Sequence, residues 1–302
     1  MFKIHFIGVE GEIMSQLAVA LHRRANYLVS GSGDTFPQHI LERFKGAKLS
    51  RVGNWDSEKI SKQISSVVVS KTVSNDNPEL LRAIELKLKI FSMSEFLYYL
   101  TRSKTRIVVA GCPGKTIVSG IITDVLEVLK IKTDYLLNEE QDINQKKINL
   151  SYESMIAVFQ EDSSIENDLN RSRAFLNYKP HIVVFTCDSK NTDYVINKKE
   201  LYQELISGME AQGRVVFLKN STSVNAIIHN LRRDVVLLPF ELPEYTHLNE
   251  GIRLKVRNKE YDLKIQNPEN LHLIENAHYC CKQIGVSDEK FYTALRNVSL
   301  NF

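Results

Sequence analysis

Short apolar runs rich in β-branched residues alternate with longer stretches of helical periodicity along this chain. The first cycle is a strand at Lys3 to Val9, a helix at Ile13 to Arg24 and a strand at Tyr27 to Ser30. Strands that are joined by helix-length connections pair in parallel. The alternation therefore predicts an α/β fold with parallel sheets.

The same pattern continues to the end of the chain. Further strands are predicted at Val67 to Ser70, Lys89 to Phe91, Ile107 to Ala110, Ser154 to Gln160, His181 to Phe185, Arg214 to Leu218 and Asp234 to Leu238. Further helices are predicted from Pro78, at Ser94 to Leu100, Lys115 to Lys130, Leu271 to Ile284 and Asp288 to Asn297. A hairpin is predicted from Ile252 to Val256 and Tyr261 to Ile265, joined by residues 257–260. A polar loop is predicted at Asn138 to Asn149.

The chain is long enough for two separate cores, because its 302 residues equal about two domains of roughly 150 residues. The polar, basic segment Thr101 to Thr105 separates two series of strands and helices. We therefore expect two tandem parallel-sheet domains, residues 1–102 and residues 103–302.

Charge and cysteine content exclude several classes of protein. The 39 Lys and Arg against 36 Asp and Glu leave a net charge of +3, too small to indicate a nucleic-acid or anionic membrane surface. No apolar run approaches the roughly 20 residues that span a bilayer, which predicts a cytoplasmic protein without a membrane partner. The 4 cysteines form no CxxC pair, so we expect a reduced compartment and no structural zinc.

A strand followed by a glycine-rich turn and a helix is predicted at residues 108–116, Val-Val-Ala-Gly-Cys-Pro-Gly-Lys-Thr. Gly111 and Gly114 let the backbone wrap an anion, Lys115 supplies a point charge, and Thr116 is a ligand for Mg²⁺. Val109 replaces the first glycine of the full phosphate-loop pattern. The alternative is an ordinary strand-to-helix turn with an exposed lysine.

A second glycine-rich turn follows the first strand, with Gly8 and Gly11 three residues apart. This spacing suits a dinucleotide or UDP-sugar loop, but it is common. The carboxylates of Glu10 and Glu12 would repel a pyrophosphate by about 1 kcal/mol at 4 Å in water, and more where water is excluded. Taken alone, the segment indicates a tight turn.

The ordered set of motifs resembles the Mur ligases, and within them the branch of the muramate–alanine and muropeptide ligases. The resemblance is collinear over nearly the whole chain. Its pieces are His5-Phe6-Ile7-Gly8 with Gly11 and Met14-Ser15, Leu17-Ala18, Val29-Ser30-Gly31-Ser32, Val67-Val68-Val69-Ser70, Asn77-Pro78-Glu79-Leu80, Val109-Ala110-Gly111 with Gly114-Lys115-Thr116, Tyr178-Lys179-Pro180, Leu242-Pro243-Glu244-Tyr245 and Glu269-Asn270.

The resemblance implies a Rossmann-like N-terminal domain for UDP-N-acetylmuramic acid, a P-loop-type central ATP domain, and a third, amine-binding domain that we expect to be absent. The implied reaction phosphorylates the muramyl carboxylate with ATP and Mg²⁺, after which an amine forms an amide. The implied UDP-sugar residues are Gly8, Gly11, Ser30 and Ser70. The implied ATP residues are Gly111, Gly114, Lys115, Thr116 and Asn270, with Thr116 and Glu161 as metal ligands.

Several positions depart from the family pattern. Cys112 and Pro113 replace a threonine or serine and a histidine before Gly114. Gly33 stands where an aspartate follows the Gly-Ser pair, and Asp34 is displaced by one place. The metal-binding glutamate is either Gln160 or shifted onto Glu161, the Asp-His pair falls near Lys190-Asn191, and the adenine motif has Glu269 and Leu273 beside Asn270.

These departures leave three hypotheses for function. The first is a degenerate, catalytically impaired binding or regulatory protein of peptidoglycan metabolism, a pseudoenzyme with residual affinity for nucleotide or UDP-muramyl compounds. The alternative is an active, ADP-forming ligase with altered ligands and a separately supplied third domain. The third is a structural partner of an intact ligase that binds no small molecule.

Overall fold

The structure is a computed structural model that describes residues 1–111, 114–137, 148–162, 173–187, 198–228, 231–265 and 267–298. The chain divides into two compact units. Unit 1 comprises Met1–Arg102, Glu140–Leu150 and Asp162–Tyr178, and unit 2 comprises Ser103–Glu139, Ser151–Glu161 and Lys179–Phe302.

The first 102 residues contain five strands and four α-helices, which alternate along the chain except between β3 and β4, where a 3-10 helix (Ser57–Lys59) lies. They are β1 (Phe2–Ile7), α1 (Glu12–His22), β2 (Tyr27–Gly33), α2 (Gln38–Gly46), β3 (Val52–Asn54), β4 (Ser66–Val69), α3 (Pro78–Glu85), β5 (Ile90–Ser92) and α4 (Met93–Thr101). The strands form one parallel sheet in the order β3-β2-β1-β4-β5. The predicted parallel α/β fold is confirmed here.

Local chemistry explains where two of these helices begin. Asn77 caps α3, because its side-chain oxygen accepts hydrogen bonds from the backbone N–H groups of Glu79 and Leu80, while Pro78 occupies the first helical position. Ser92 and Glu95 form a reciprocal capping box at the start of α4. Both helix starts agree with the sequence prediction.

The described elements after residue 102 are β6 (Thr105–Ala110), α5 (Lys115–Val128), β7 (Thr133–Leu136), β8 (Ile148–Asn149), β9 (Ile156–Gln160), β10 (Ile182–Phe185), α6 (Lys199–Ser207), β11 (Arg214–Leu218), α7 (Thr222–Ile227), β12 (Val236–Phe240), β13 (Glu244–Leu248), β14 (Gly251–Val256), β15 (Lys259–Leu263), α8 (Leu271–Gln283) and α9 (Asp288–Leu295). One sheet has the order β12-β11-β10-β6-β9-β7-β8. A smaller antiparallel sheet has the order β13-β14-β15.

Buried aliphatic strands and two helices form the core of unit 2. Ile107 and Val109 of β6 pack in one apolar cluster with Ile122 of α5 and with Leu273 and Ile274 of α8. All five side chains are buried. This packing holds the amino-terminal ends of α5 and α8 near the strands that carry the site.

The structure corrects the predicted hairpin turn and the predicted polar loop. The turn between β14 and β15 contains only Arg257 and Asn258, because Lys259 already pairs with Val256 and the positive φ of Arg257 (54°) closes a two-residue loop. Within the loop predicted at 138–149, Ile148–Asn149 is strand β8, and residues 138–147 lie outside the described part. Among the described helices, none combines the length and apolarity needed to cross a membrane.

Candidate functional site

The strand order of the large sheet reverses at β6, which lies between β10 and β9. After β6 the chain adds β7 and β9 on one side and later β10, β11 and β12 on the other. Open parallel sheets bind ligands at the carboxyl ends of the strands where the order reverses. Gly111 directly follows β6 and Glu161 directly follows β9, so the predicted phosphate loop begins at this edge.

Close contacts and backbone geometry explain both glycines of the phosphate loop. Gly111 has φ of +101°, and a Cβ there would lie 2.5 Å from the Sγ atom of Cys187, just after β10. Gly114 has φ of +97°, and a Cβ there would overlap the side chain of Leu273 on α8. Side chains at either position would strain the backbone and displace a neighbour.

Two lysines approach the carboxylate of Glu161, which is 3% exposed. The Nζ atom of Lys115, the first residue of α5, donates a 2.5 Å hydrogen bond to Oε2. The Nζ atom of Lys198 lies 3.7 Å from Oε1, and Oε1 has no hydrogen-bond partner among the described residues. The predicted residues Lys115 and Glu161 thus meet, and Lys198 is a neighbour that the sequence analysis missed.

The side chain of the neighbouring glutamine is hydrogen-bonded to helix α5. The Nε2 group of Gln160, which is 3% exposed, donates a 2.6 Å hydrogen bond to the Ser119 hydroxyl on α5. Glu161, rather than Gln160, therefore faces the loop lysine. Thr116 follows Lys115 in the first turn of α5 and is half-buried.

The donor set of this edge is compatible with a phosphate-bound Mg²⁺. Such ions are commonly held by one or two carboxylates together with substrate phosphates and waters. The hydrogen-bond-free Oε1 of Glu161 and the hydroxyl of Thr116 are the oxygens available for this purpose. Within the described ranges no group of three or more His, Cys, Asp and Glu side chains could hold a metal by itself.

The predicted adenine residue Asn270 lies immediately before α8 and is half-buried. Its backbone N–H donates a 3.0 Å hydrogen bond to the carbonyl of Asn267. Leu273, one turn later, is 4% exposed and reaches Gly114. The start of α8 is therefore brought to the phosphate loop by an apolar contact that only the structure reveals.

In unit 1 the strand order reverses at β1, which lies between β2 and β4. Gly8 follows β1 with φ of +83°, and a Cβ there would lie 2.6 Å from the Cβ atom of Ser70, which follows β4. Gly11 is the residue before α1. Gly8, Gly11 and Ser70 thus lie at the carboxyl edge where a ligand of such a sheet is expected.

Ser30 lies deeper in unit 1, within a polar network. Its hydroxyl is 2.9 Å from Nδ1 of His5, and the hydroxyl of Ser32 is 3.3 Å from Nε2 of the same ring. The Glu79 carboxylate is 3.2 Å from His5 Nε2 and accepts a 2.9 Å hydrogen bond from the backbone N–H of Asp56. Ser30 is the register partner of His5 in the sheet, and His5 lies three residues before Gly8.

The two carboxylates of the first glycine turn point to different neighbours. The Glu12 carboxylate accepts a 2.6 Å hydrogen bond from Arg43. Burial raises the pKa of Glu12, but the hydrogen bonds from Arg43 and Gln16 bring that pKa below its usual value. Glu10 is directed at Gly33, where a Cβ would overlap its Oε2 atom, which has no hydrogen-bond partner among the described residues. The Glu10 carboxylate thus fills the space left by the missing side chain at Gly33.

Four residues that depart from the family pattern lie outside the described part of the structure: Cys112, Pro113, Lys190 and Asn191. A groove of about 890 Å³ is lined by residues between Ser57 and Lys62 and by residues of α3. None of its lining residues belongs to the predicted site.

Residues 3–105 match the sequence model described as the Mur ligase family, catalytic domain. A UDP-N-acetylmuramate--L-alanine ligase of Vesicomyosocius okutanii is 27% identical over 87% of this chain and 53% of that protein. A ligase of the same description from Carboxydothermus hydrogenoformans is 38% identical over 42% of this chain and 27% of that protein.

Solved structures agree on the fold. The crystal structure of the UDP-N-acetylmuramate:L-alanyl-gamma-D-glutamyl-meso-diaminopimelate ligase from Neisseria meningitides covers 99% of this chain and 98% of that chain, with a TM-score of 0.79 and 15% identity. A UDP-N-acetylmuramate-alanine ligase from Thermotoga maritima covers 98% of this chain and 68% of its own, with a TM-score of 0.67 and 19% identity. The predicted resemblance to Mur ligases is confirmed, and the chain spans about half the length of the curated relatives it matches first.

Proposed function

We propose that this Mur-ligase-like chain binds the phosphates of ATP in unit 2, and that its ligase chemistry is impaired, so that it acts as a binding or regulatory protein of peptidoglycan metabolism. Unit 1 then corresponds to the UDP-muramyl-binding domain and unit 2 to the ATP-binding domain. The observation that carries the proposal is the pairing of Lys115 with the buried Glu161, beside a loop whose Gly111 and Gly114 both have positive φ.

Phosphate binding at this loop follows from charge and backbone geometry. The first N–H groups of α5 have no partner within the helix and carry about half a positive charge. Lys115 adds a full charge at the first helical position. An arriving phosphate would compete with Glu161 for the Lys115 ammonium group. Thr116 and Glu161 would hold Mg²⁺ against that phosphate, and the ion would neutralise the charge of the phosphoryl oxygens.

The side chain of Leu273 supports the impaired chemistry. Leu273 stands where the family resemblance implies an asparagine that contacts adenine, and its buried apolar side chain has no hydrogen-bonding group for a base. This change removes a polar contact to the nucleotide, while Leu273 packs in the apolar core of unit 2.

Unit 1 is the proposed site for a UDP-muramyl compound, at the edge formed by Gly8, Gly11 and Ser70. The Glu10 carboxylate lies against Gly33, the last residue of β2, so its negative charge also remains at this edge. Ser30 would act through His5 rather than by touching the ligand. We expect weak binding, because Glu12 remains in the first turn of α1.

Binding is tested by calorimetry with ATP–Mg²⁺ and, separately, with UDP-N-acetylmuramate. We expect ATP–Mg²⁺ to bind the natural chain and to bind Lys115→Ala at least about tenfold more weakly, because a charge-assisted contact to phosphate is lost. Lys132→Ala, an exposed lysine that follows α5 and precedes β7, is the matched control. Equal ATP binding by the natural chain and Lys115→Ala would refute the phosphate site.

Catalysis is tested by phosphate release with ATP–Mg²⁺, UDP-N-acetylmuramate and L-alanine. A full-length muramate–alanine ligase serves as the positive control for the assay. We expect the natural chain to release no more phosphate than Lys115→Ala. Release above that level, together with formation of the amide product, would establish the alternative function of an active ligase. The 27% identity over 87% of the chain to a named ligase favours this alternative.

An intact ligase as protein partner is a further part of the proposal. The experiment is co-elution of this chain with the full-length ligase on size-exclusion chromatography. A chain that binds neither ATP nor UDP-N-acetylmuramate but co-elutes with the ligase would support the structural-partner function alone. Separate elution would remove this part of the proposal.

A further inference from the structure

The carboxylate of Glu10 lies where strand β2 ends, although Glu10 itself belongs to the turn between β1 and α1. A Cβ atom on Gly33, the last residue of β2, would lie 2.7 Å from Cδ of Glu10 and 3.0 Å from Cζ of Phe36. The carboxylate and the half-buried ring of Phe36 therefore occupy the space that a side chain of residue 33 would fill.

The backbone does not require glycine at position 33. Gly33 lies outside the left-handed region, in contrast to Gly8, whose φ is +83°. A side chain at position 33 is therefore compatible with the strand, and its space is taken by the side chains of Glu10 and Phe36. The family resemblance implies an aspartate at position 33. In this chain a carboxylate reaches the same place from the neighbouring turn.

The two oxygens of the Glu10 carboxylate have different surroundings. Oε2 is buried against Gly33 and has no hydrogen-bond partner among the described residues. Oε1 accepts a long hydrogen bond of 3.5 Å from the backbone N–H of Asp34, in an exposed position. The packing against Gly33 therefore fixes the orientation of the carboxylate, and Oε1 can accept a second hydrogen bond from a ligand.

The place of this acceptor in the sheet indicates which part of a ligand it contacts. In doubly wound sheets with a glycine turn after the first strand, phosphates lie at the start of the first helix. An acidic residue near the end of the second strand accepts a hydrogen bond from a ribose 2′-hydroxyl group. In unit 1, Gly8 and Gly11 form the glycine turn before α1, and the Glu10 carboxylate lies at the end of β2.

We propose that Glu10 is a specificity residue of unit 1, whose carboxylate accepts a hydrogen bond from the ribose 2′-hydroxyl group of a uridine nucleotide. The proposal rests on the proposed UDP-muramyl site of unit 1. The negative charge of Glu10 repels the diphosphate of UDP and of 2′-deoxy-UDP alike. The ratio of the two affinities therefore isolates the contact with the hydroxyl group.

The test is calorimetric titration of the full chain with UDP and with 2′-deoxy-UDP. The variants are Glu10→Gln, Glu10→Ala and the double variant Glu10→Ala/Gly33→Asp. Asp34→Asn is the matched control, because Asp34 is an exposed carboxylate at the same strand end. A thermal melt of each variant checks that it is folded, and Glu10→Gln, which keeps the size of the side chain, serves if Glu10→Ala is not.

We expect the natural chain to bind UDP about tenfold more tightly than 2′-deoxy-UDP, because the lost hydrogen bond is to a charged group. Glu10→Ala should bind the two nucleotides equally, with both affinities changed by the loss of repulsion. Glu10→Gln should reduce the preference to about threefold, since its amide oxygen is a neutral acceptor. The double variant should regain a preference of at least about fivefold, and Asp34→Asn should keep the natural one.

The outcomes separate failure of this inference from failure of the site. A natural chain that binds UDP and 2′-deoxy-UDP equally, or a Glu10→Ala variant that keeps the preference, would overturn the role of Glu10 alone. Loss of the preference in Asp34→Asn would also overturn it, because Asp34 would then be the acceptor. A folded double variant without the preference would overturn the exchange of one carboxylate between positions 10 and 33. A natural chain that binds neither UDP nor UDP-N-acetylmuramate would overturn both proposals.

Discussion

The Glu79 carboxylate connects three parts of unit 1 and gives the most specific stability prediction. One oxygen is 3.2 Å from Nε2 of His5 in β1, and the other accepts a 2.9 Å hydrogen bond from the backbone N–H of Asp56. Glu79 is 0% exposed and His5 is 1% exposed. Replacing Glu79 by alanine removes the acceptor of the Asp56 backbone N–H and leaves the Ser32 hydroxyl, at 3.3 Å, as the remaining partner of His5 Nε2.

The expected loss is large. Losing the partner of one buried hydrogen-bonding group costs about 1–3 kcal/mol. Because two contacts of the Glu79 carboxylate are lost, we expect Glu79→Ala to lower the free energy of unfolding of unit 1 by about 2–4 kcal/mol. Glu79→Gln keeps a carbonyl oxygen for the Asp56 backbone N–H and a polar group beside the His5 ring. We therefore expect this variant to lower the free energy of unfolding by about 1–2 kcal/mol.

The assay is urea denaturation followed by the fluorescence of Trp55, the only tryptophan among the 302 residues. Trp55 packs against the core cluster of unit 1 that includes Leu80, and it precedes Asp56. Glu85→Ala on the same helix is the matched control. Glu85 is 66% exposed and pairs with Arg82, so its loss should change stability by less than about 0.5 kcal/mol.

The relative order of the variants is the decisive result. We expect the free energy of unfolding to decrease from Glu85→Ala to Glu79→Gln to Glu79→Ala. If Glu79→Ala changes the urea midpoint no more than Glu85→Ala does, the contacts of Glu79 with His5 and Asp56 do not stabilise unit 1 as their geometry implies, and the prediction is wrong.

Three further predictions concern unit 2. Tyr292→Phe removes the 2.6 Å hydrogen bond from the Tyr292 hydroxyl to buried Glu275. We expect the free energy of unfolding to fall by about 1–2 kcal/mol, measured by urea denaturation followed by circular dichroism. An unchanged free energy of unfolding would contradict this prediction. Gly114→Ala, at φ of +97°, should cost at least about 1–2 kcal/mol and lower the melting temperature. Burial raises the pKa of Asp288, but the Lys282 ammonium group brings that pKa below its usual value. The stabilisation that the Asp288 carboxylate contributes to the fold is therefore complete above about pH 4, and it is lost as the pH falls through the lowered pKa. Asp288→Asn should therefore flatten the acid side of the stability curve, and an unchanged acid side would count against this pair.

Strong, long patterns predicted the fold correctly, and weak or short ones did not. The valine-rich strands β4 and β6 were predictable because strands buried on both faces are nearly continuous apolar runs. Helix α2 and strand β3 were missed, since α2 mixes charged and apolar residues and β3 has three residues. Strand β13 is almost entirely exposed, so pairing with β14, rather than burial, defines it.

Some residues of the candidate site could likewise be named from the sequence, and others could not. Gly111, Gly114, Lys115 and Thr116 could be named as a candidate phosphate loop because they lie close together in the sequence and the proposed chemistry follows from residue type. Lys198 and Leu273 were not predictable as neighbours of that loop, because each is far from it in sequence and belongs to another helix. The sequence left open whether Gln160 or Glu161 corresponds to the metal-binding glutamate of the family. The side-chain contacts place Glu161 at Lys115 and Gln160 at Ser119.

By itself, the sequence determined the α/β fold, the two glycine turns and the resemblance to Mur ligases, because these depend on local periodicity, residue type and motif order. Only the tertiary structure decided which charges meet at the loop, that Glu10 fills the space beside Gly33, and that Ser30 binds His5. The physical reason is that electrostatic and packing energies depend on distances between side chains, and the sheet brings together residues that the chain order separates.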